Sequence, residues 1–585
     1  MSEKRLHSGN LYSVREIKDL KDMLNQSENL FAAKNAFMIK KDDGSYRGIT
    51  YSQFKNDVDA LGTAFVSLGL KDTFIAVLGE NRYEWCLTYL STINGTGVIV
   101  PLDKELPQAD IEYVLEKSNA SAIVFSNKHL ASMEKVSENN SNIKYFINMD
   151  SKIDEGKFLS LSKLLEIGQA LIKNGKREFI EASVDRTKMS ILLFTSGTTG
   201  FAKGVMLSHK NICSNMISIR NTVNVGSEDS SLSILPLHHT YECTIGFLCI
   251  IFSGGTISFS EGLRQIPRNL KEFKPTLMIT VPLLLENVYK KVWDQAGKKT
   301  GGKLIIRAAI CSGVFLKKVL GIDIRRKIFK TIHDNLGGKL RLIITGAAAI
   351  DPVVSKFFRN IGIGVLQGYG LTECSPLVAG NRDNAFKDGS VGLPIPGTEI
   401  RIINPDEKGV GEIVTKGDNL MLGYFENEKA TNDSIRDGWF HTGDIGKIDK
   451  HGFLYITGRI KNVIVTKNGK NIYPEELEAS INKNPFVQES LVLGMTDDFS
   501  GETHVYAQIL PNIEAIKEKL KVINISKEEI MKILNDVVKS VNKSLPLYKH
   551  IKNFSIRDNE FIKTTTKKIK RHLEQKSRGG KEGQA

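Results

Sequence analysis

The chain has 585 residues, of which 41% are hydrophobic and 25% are charged, a composition typical of globular proteins. This length is too great for one hydrophobic core, so we expect several domains. The net charge of +14 suggests an anionic partner, but the lysines are dispersed among acidic residues without interleaved aromatic platforms, which disfavours nucleic-acid binding. The six cysteines are scattered without a CxxC pair, and the start has no apolar signal core. These features disfavour disulfide and zinc frameworks and predict a cytoplasmic protein.

The first third of the chain alternates between strand and helix patterns. Apolar segments on both sides of an Asp-Asp-Gly turn predict a hairpin, and Ser52 is the predicted cap of the helix that follows it. Three further strands alternate with helical segments that start at Tyr83 and near 111–115, which indicates a helix-covered parallel sheet. The predicted strands are 36–39 and 48–51 in the hairpin, then 74–78, 98–102 and 122–125.

A loop rich in glycine and hydroxyl residues follows the apolar strand 191–194. Residues 195–204 read TSGTTGFAKG. Glycines let backbone N–H groups approach anionic oxygens, hydroxyls donate hydrogen bonds, and lysine supplies charge, so this loop predicts phosphate binding. The glycine and lysine spacing does not fit the Walker A loop, and a plain surface turn is the alternative interpretation.

Two later strands also run into segments of small and polar residues. Strands predicted at 340–344 and 363–366 precede TGAAA and QGYGLTE, and a helix is predicted at 281–290 between them and the glycine-rich loop. Ligands in open α/β sheets bind at the carboxyl ends of strands, so we expect these segments and the loop to converge on one site. The apolar segment 245–252 is too short to span a bilayer and is interpreted as a buried strand or helix.

The texture of the sequence changes in the last third. Short strands and many glycines between 389 and 458 predict a β-rich subdomain. Beyond it, two strands (490–494 and 504–510) and two helices (474–481 and 527–542) predict a separate α+β unit. We therefore expect an α/β protein whose large N-terminal domain contains two helix-covered, parallel-type sheet subdomains and the β-rich subdomain. The predicted domains are 1–458, a small mobile C-terminal domain at 459–572, and a disordered tail at 573–585.

Four more segments follow the loop and, in this order, form a recognisable set of motifs. They are GYGLTE at 368–373, WFHTGD at 439–444, YITGRIKN at 455–462 and KTTTKKIKR at 563–571. Together with the loop, they resemble the adenylate-forming superfamily of acyl-CoA synthetases, luciferases and peptide-synthetase adenylation domains, over about residues 30–572. The LPLHHTYE segment at 235–242 and residues 461–478 are most similar to bacterial long-chain fatty-acyl-CoA synthetases.

The resemblance implies a two-step reaction with ATP, Mg²⁺ and CoA. A fatty-acid carboxylate attacks the α-phosphorus of ATP to give acyl-adenylate and pyrophosphate, and the CoA thiol then displaces AMP. Thr195 and Glu373 are implied Mg²⁺ ligands, since both offer the hard oxygens that this ion prefers. Tyr369 is implied to stack on adenine, and Asp444 and Arg459 to contact the ribose. The implied pyrophosphate-binding residues are Thr195, Ser196, Gly197, Thr198, Thr199, Gly200 and Lys203, and Gly346, Ala347, Gln367, Gly368, Gly370 and Thr372 complete the implied nucleotide site.

The last of these segments departs from the family pattern P-x-T-x-x-G-K-x-x-R. Ile562 stands in place of the proline and Lys567 in place of the glycine. Lys568 is implied to be the catalytic lysine, because Thr564 precedes it by four residues and Arg571 follows it by three. A lysine there offsets charge that develops in the transition state. Lys461 matches the family hinge about which the small domain rotates, and it is counted with Lys568 among the implied nucleotide-binding residues.

The acyl site is less well defined by the sequence. By resemblance, the small residues 346–349 pack near the acyl group, and His238, His239 and Tyr241 form a gate segment, with His238 also a candidate catalytic residue. The expected partners are fatty acid, ATP and CoA, while peripheral membrane association, a carrier protein and the oligomeric state stay open. The alternatives are a ligase for acyl carrier protein, an acyl-AMP ligase, an aryl or short-chain acid ligase, and a non-catalytic nucleotide-binding homologue.

Overall fold

The structure is a computed structural model that describes residues 10–195, 203–465, 470–496, 503–563, 569–571 and 573–574. The contacts within the chain divide it into two compact units. Unit 1 comprises residues 1–400 and 415–440, and unit 2 comprises residues 401–414 and 441–585.

Unit 1 contains a sheet that has nine strands among the described residues. Its central strands are parallel, and both edges end in antiparallel strands. One edge is the hairpin of Asn35–Lys40 and Tyr46–Thr50, which confirms the predicted turn. In spatial order the strands are Leu393–Pro394, Leu377–Gly380, Gly364–Gly370, Leu342–Thr345, Leu277–Thr280, Ser230–Ser233, Thr256–Phe259, Asn35–Lys40 and Tyr46–Thr50.

A second sheet of unit 1 has eight strands in the described part of the chain. Phe74–Leu78 pairs in parallel with both Val98–Pro101 and Ala122–Phe125, as the alternating pattern predicts. Antiparallel pairing occurs where Met189–Thr195 meets Lys203–Ser208. In spatial order the strands are Gly423–Tyr424, Lys203–Ser208, Met189–Thr195, Val98–Pro101, Phe74–Leu78, Ala122–Phe125, Tyr145–Asn148 and Phe158–Ser160.

Helices cover both sheets of unit 1 and bury a largely apolar core around Phe37, Phe54 and Trp85. Gly168 lets helix Leu161–Lys173 touch helix Tyr51–Ser67, because a Cβ there would lie 1.9 Å from the Ala60 oxygen. The other helices are Leu20–Phe31, Tyr83–Ile93, Gln108–Lys117, Leu130–Asn139, Glu178–Glu181, His209–Arg220, Tyr241–Leu248, Cys249–Phe252, Ile266–Phe273, Pro282–Gly297, Gly302–Leu320, Arg325–Ile328, Lys330–Asn335, Pro352–Asn360 and Glu428–Ser434, with 3₁₀ turns at Asn127–His129, Leu263–Gln265 and Thr372–Cys374.

Two details of unit 1 refine the predictions. The helix predicted to be capped by Ser52 begins at Tyr51, and its cap is Thr50, whose Oγ1 accepts from the Gln53 amide while the Gln53 side chain accepts from the Thr50 amide. This capping box satisfies two otherwise unpaired donors, whereas the Ser52 hydroxyl donates to Glu28. The segment 245–252 is helical rather than a strand.

Unit 2 has its own core, which helix Lys527–Lys543 and the sheet of Val487–Thr496, Thr503–Pro511 and Ile551–Ile556 form together. Helix Pro474–Asn482 and helix Ile513–Leu520 complete its helical layer. Its smaller elements are the strand pair Ile464–Val465 and Asn471–Ile472, and the 3₁₀ turns Ile460–Asn462 and Leu547–Lys549.

The glycine-rich region forms strands, as predicted, and Trp439–Ile448 pairs antiparallel with both Ile435–Arg436 and Leu454–Arg459. Its strands are Thr398–Ile403, Gly411–Gly417, Ile435–Arg436, Trp439–Ile448 and Leu454–Arg459. The chain passes from one unit to the other within three of them. An α/β fold with a large N-terminal part and a smaller C-terminal part is therefore confirmed, while the exact domain boundaries stay a prediction.

Candidate active site

The ends of the glycine-rich loop are held by two antiparallel strands. Thr195, at the end of Met189–Thr195, is the register partner of Lys203, at the start of Lys203–Ser208. The Thr195 hydroxyl donates to the Lys203 carbonyl at 3.4 Å. A strand follows this loop, whereas a helix follows the Walker A loop, so the structure agrees with the exclusion of Walker A. Ser196, Gly197, Thr198, Thr199 and Gly200 lie outside the described residues.

Tyr424 contacts both Lys203, the lysine of the loop, and Glu373, whose carboxylate is predicted to bind Mg²⁺. Its hydroxyl donates to Glu373 Oε1 at 2.9 Å, and its ring centroid lies 4.8 Å from Lys203 Nζ. Burial and the Glu373 carboxylate raise the pKa of Tyr424 above its usual value, so the hydroxyl stays protonated and can donate. This arrangement, which we call the Lys203–Tyr424–Glu373 cluster, brings two predicted site residues together. Tyr424 could not be predicted from the sequence as a site residue, because a Gly-Tyr pair on a short strand has no distinctive pattern.

Two buried asparagines fix the backbone that carries Glu373. The side-chain amides of Asn215 and Asn419 each donate to the carbonyls of Cys374 and Leu377, at 2.8–3.2 Å. The Met421 amide donates to the Glu373 carbonyl at 2.8 Å. Glu373 therefore projects from a turn with a fixed backbone. The sequence analysis also missed these asparagines, which lie outside the recognised motifs.

The predicted adenine-binding segment is the end of strand Gly364–Gly370 and the turn after it. Tyr369 and Thr372 are half-buried, and the side-chain amide of Gln367 donates to the Ala348 carbonyl at 3.4 Å. Glycine is required at Gly370, because a Cβ there would lie 2.1 Å from the Pro376 oxygen. At Gly368 a Cβ would meet the Leu377 side chain at 2.7 Å.

The neighbouring parallel strand Leu342–Thr345 leads into Gly346 and Ala347. Thr345 and Gln367 are register partners, so these two predicted segments lie side by side. Ala347 has φ +67, a left-handed conformation that is uncommon outside glycine and that often accompanies functional sites. The structure thus brings the predicted segments together at two places. The segments at 346 and 367 lie side by side on adjacent strands, and Tyr424 contacts both Lys203 of the loop and Glu373.

Tyr241 joins the predicted gate segment to these strand ends. Its hydroxyl oxygen lies 3.2 Å from the carbonyl oxygens of both Thr280 and Ile344, and its single proton can be donated to either of them. A Cβ at Gly346 would lie 3.2 Å from Tyr241 Cζ, so the two segments are in close contact. Tyr241 begins a π-helix, Tyr241–Leu248, in which the Cys249 amide donates to the Thr244 carbonyl five residues earlier. Such helices are rare and are frequent at functional sites.

Glu242 is a fully buried carboxyl group within this π-helix. The Ser233 hydroxyl donates to its Oε1 at 2.7 Å. Burial raises the pKa of Glu242 to about 8, against partial opposing effects of Ser233 and the Leu235 backbone, so the group is largely neutral at pH 7. We expect Glu242 to stabilise the gate segment as a neutral acid.

The rings of the two gate histidines are in contact, with centroids 4.2 Å apart and planes tilted by 43°. His238 Nε2 lies 3.4 Å from Asp103 Oδ2. Burial and the neighbouring His238 together lower the pKa of His239 to about 3, against an opposing effect of Asp103, so His239 is neutral at pH 7.

A narrow, mainly apolar cavity lies next to His238. Its walls come from the middle of the eight-stranded sheet and from the π-helix. The lining includes Tyr89, Leu193, Leu207, His238, Cys243 and Thr244. The sequence analysis predicted His238 near the acyl site, and the structure places it beside this cavity.

In unit 2, two predicted ribose contacts form an ion pair. Asp444 and Arg459 are register partners on Trp439–Ile448 and Leu454–Arg459, and Arg459 Nε lies 2.7 Å from Asp444 Oδ1. Asp444 is buried, and its backbone amide donates to the Thr442 hydroxyl oxygen at 3.0 Å. Lys461 lies in the 3₁₀ turn Ile460–Asn462 immediately after Arg459.

The final motif is described only in part. Lys567 and Lys568 lie outside the described residues, while Lys563 and Ile569 on either side pair in an antiparallel bridge. Arg571 donates to the Val492 carbonyl at 3.0 Å and forms an ion pair with the buried Glu478. The arginine of the motif therefore has a structural role within unit 2.

The donors of unit 1 suit a magnesium–nucleotide substrate. Glu373 offers a carboxylate and Thr195 a hydroxyl, both hard oxygen donors. Tyr424 binds one oxygen of the Glu373 carboxylate, and a carboxylate has a second oxygen that can ligate. Lys203 adds a cation for phosphate oxygens. These residues therefore fit Mg²⁺ and phosphate through the chemistry of their side-chain groups.

Comparison with known proteins identifies the family of the chain. A family model described as AMP-binding enzyme matches residues 26–425, and one described as AMP-binding enzyme C-terminal domain matches residues 461–576. Long-chain-fatty-acid–CoA ligase 5 of Rattus norvegicus is 33% identical over 490 residues, which cover 78% of this chain and 70% of the relative. Long-chain-fatty-acid–CoA ligase FadD15 of Mycobacterium bovis is 29% identical over 474 residues, 78% of this chain and 77% of the relative.

Solved structures share the fold over nearly the whole chain. The anthranilate CoA ligase AuaEII in complex with anthranoyl-AMP has a TM-score of 0.74 at 20% identity, with 99% of each chain covered. The Mycobacterium tuberculosis fatty acyl CoA synthetase has a TM-score of 0.66 at 21% identity, with 96% of this chain and 99% of that chain covered. The chain belongs to the AMP-binding enzyme family, in the adenylate-forming superfamily, and is similar to long-chain fatty-acid–CoA ligases.

Proposed function

We propose that the protein is a long-chain fatty acid–CoA ligase that uses ATP, Mg²⁺ and CoA. The fatty-acid carboxylate attacks the α-phosphorus of ATP, pyrophosphate leaves, and the CoA thiol then displaces AMP from the acyl-adenylate. The observation that best supports the first step is the Lys203–Tyr424–Glu373 cluster, because it pairs a cation with a rigidly held carboxylate at the end of the glycine-rich loop.

The cluster serves a reaction that depends on positioning and charge neutralisation. Lys203 binds the pyrophosphate oxygens, while Thr195 and Glu373 hold Mg²⁺, which neutralises phosphate charge when bound. Tyr424 orients the Glu373 carboxylate through its hydroxyl and lies under the Lys203 ammonium through its ring. Tyr369 supplies an aromatic face for adenine.

The cavity beside His238 supports a hydrocarbon substrate. Its walls are mostly apolar and include His238, while Tyr241 of the same gate segment contacts Gly346. The cavity has room for only about one water molecule, so the lining side chains must move apart for the acyl chain to enter while its carboxylate stays near Gly346. His239 is neutral and in contact with His238, so it adds no charge to this region.

The roles proposed for residues of unit 2 rest on the resemblance to the adenylate-forming superfamily. Asp444 accepts from the ribose hydroxyls, and Arg459 fixes the Asp444 carboxylate through their ion pair. Lys568 contacts the carboxylate and the α-phosphate during the first step, and the C-terminal domain, which begins near residue 459, rotates about Lys461 for the second step.

The experiment is to measure pyrophosphate release and thioester formation with acids from acetate to stearate and with aryl acids. Each acid is offered with CoA or with acyl carrier protein as acceptor. We expect both products with long-chain acids and CoA. Thioester on carrier protein alone favours a carrier-protein ligase, adenylate without thioester favours an acyl-AMP ligase, and a preference for aryl or short acids overturns the long-chain assignment. No pyrophosphate with any acid favours a non-catalytic homologue.

A further inference from the structure

Helix Gly302–Leu320 has one face in the core of unit 1 and a second apolar face on the surface. The inner face presents Ile306, Ala309 and Ile310 to the core cluster below the nine-stranded sheet. Glycines with left-handed conformations, Gly301 at φ +72 and Gly321 at φ +71, end the helix on both sides. The helix is thus a rigid element whose outer face is fixed in orientation.

The outer face carries large apolar side chains that are well exposed. Leu304 is 69% exposed, Ile305 67%, and Phe315 and Val319 59% each. Leu304, Phe315 and Val319 fall on one stripe of the helix, since they are separated by eleven and four residues. Single exposed apolar residues are common, but a continuous stripe marks an interaction surface.

Basic residues flank this stripe. Lys303, Arg307 and Lys318 lie along one edge, and Lys317 lies nearer the core side, where it forms an ion pair with Asp323 at 3.4 Å. Helix Gly302–Leu320 contains no acidic residue. Long basic side chains can extend their charged ends to headgroups while their stems cover apolar surface. Apolar residues beside a basic edge are the pattern of a helix that lies in the plane of an anionic bilayer.

We infer that helix Gly302–Leu320 binds the surface of an anionic lipid bilayer. The stripe of Leu304, Phe315 and Val319 enters the boundary between headgroups and acyl chains, and Lys303, Arg307 and Lys318 contact anionic headgroups. Charge complementarity favours this partner, because the edge of the stripe is basic and the helix has no acidic residue. No helix in the described part of the chain is long and apolar enough to cross a membrane. The inference does not depend on the proposed function, since it uses none of the residues of the cluster.

The test is co-sedimentation of the full chain with vesicles of phosphatidylcholine alone or of equal parts phosphatidylcholine and phosphatidylglycerol. We expect binding to the anionic vesicles and much weaker binding to the neutral ones. Phe315→Ser with Val319→Ser should lower the bound-to-free ratio at least about tenfold, because the inserting side chains are lost. Reversing Lys303, Arg307 and Lys318 to Glu should abolish the preference for anionic vesicles, since each basic residue near such a surface contributes about fivefold.

A matched control replaces two apolar residues elsewhere in the chain that are even more exposed. Ile523 is 88% exposed and Leu547 84%, both in unit 2. Ile523→Ser with Leu547→Ser should bind vesicles as the wild type does. Unchanged melting temperatures will show that all variants are folded.

Three results would overturn the inference. They are wild-type protein that stays in the supernatant with both vesicles, a Phe315→Ser/Val319→Ser variant that binds as well as the wild type, and a wild-type dimer that this variant converts to a monomer. The last result would identify the stripe as an interface between two copies of the chain.

Discussion

The Tyr424 hydroxyl is the most informative single group to remove. Tyr424→Phe deletes the hydrogen bond to Glu373 Oε1 at 2.9 Å and keeps the ring 4.8 Å from Lys203 Nζ. A hydrogen bond to a charged group contributes about 1.5–3 kcal/mol, and each 1.4 kcal/mol corresponds to about tenfold. If the bond holds Glu373 for Mg²⁺, kcat/KM for ATP should fall about tenfold to a hundredfold. The Mg²⁺ concentration for half-maximal rate should rise.

The assay is fatty-acid-dependent pyrophosphate release measured across a Mg²⁺ titration. Tyr424→Leu also removes the ring under Lys203 and should lose more activity than Tyr424→Phe. Tyr83→Phe is the matched control, because the buried Tyr83 hydroxyl donates to Asp57 at 2.7 Å, a similar pair outside the cluster. Tyr83→Phe should lower the melting temperature without changing the Mg²⁺ dependence. A Tyr424→Phe enzyme with wild-type Mg²⁺ dependence would refute this role of the hydroxyl.

Four further predictions concern Glu242, Thr244, the final motif and the hinge. The pKa of Glu242 is raised to about 8 from 4.5, so its stabilising contribution is present below about pH 4.5 and is lost as the pH rises through about 8. In chemical denaturation at several pH values, the free energy of unfolding of the wild type should fall by up to about 1.4 kcal/mol per pH unit in this window, relative to that of Glu242→Gln. The same pH dependence of the unfolding free energy in both proteins would contradict a buried neutral acid. Thr244→Leu should shift the preferred fatty acid to shorter chains by filling the cavity. The nearly isosteric Thr244→Val should leave the chain-length preference unchanged. The same chain-length preference in both variants would show that this cavity does not bind the acyl chain. Lys568→Ala should slow adenylation by about 10²–10³ and retain thioester formation from supplied acyl-adenylate, and Lys567→Ala should retain both; the reverse outcome would move the catalytic lysine by one residue. Lys461→Pro should slow the thioester step more than adenylation in single-turnover assays, and equal losses would contradict rotation at this hinge.

Much of the fold could be predicted because the local patterns are strong. The strand at Phe74–Leu78 is a short apolar run that follows a turn, and the helix at Lys527–Lys543 has a clear helical period and a capping box. Ser52 was a wrong cap, since Thr50 and Gln53 form a reciprocal pair that a single serine does not match. The helix of residues 245–252 could not be distinguished from a strand, because a short buried apolar run has no exposed face to set a period.

The site could be predicted only where its residues lie in continuous motifs. Glu373, Asp444 and Arg459 lie in such motifs, and the ion pair of the last two follows from their register on adjacent strands. Tyr424 and Asn419 act through contacts with residues far away in the chain, so their roles appear only after folding.

The most direct test of the proposed reaction follows an oxygen atom. Fatty acid labelled with ¹⁸O in its carboxylate is incubated with the enzyme, ATP, Mg²⁺ and CoA, and the nucleotide product is analysed by mass spectrometry. Attack of the carboxylate on the α-phosphorus predicts AMP that carries one ¹⁸O, together with pyrophosphate and acyl-CoA. Unlabelled AMP, or ADP with inorganic phosphate, would contradict the formation of an acyl-adenylate.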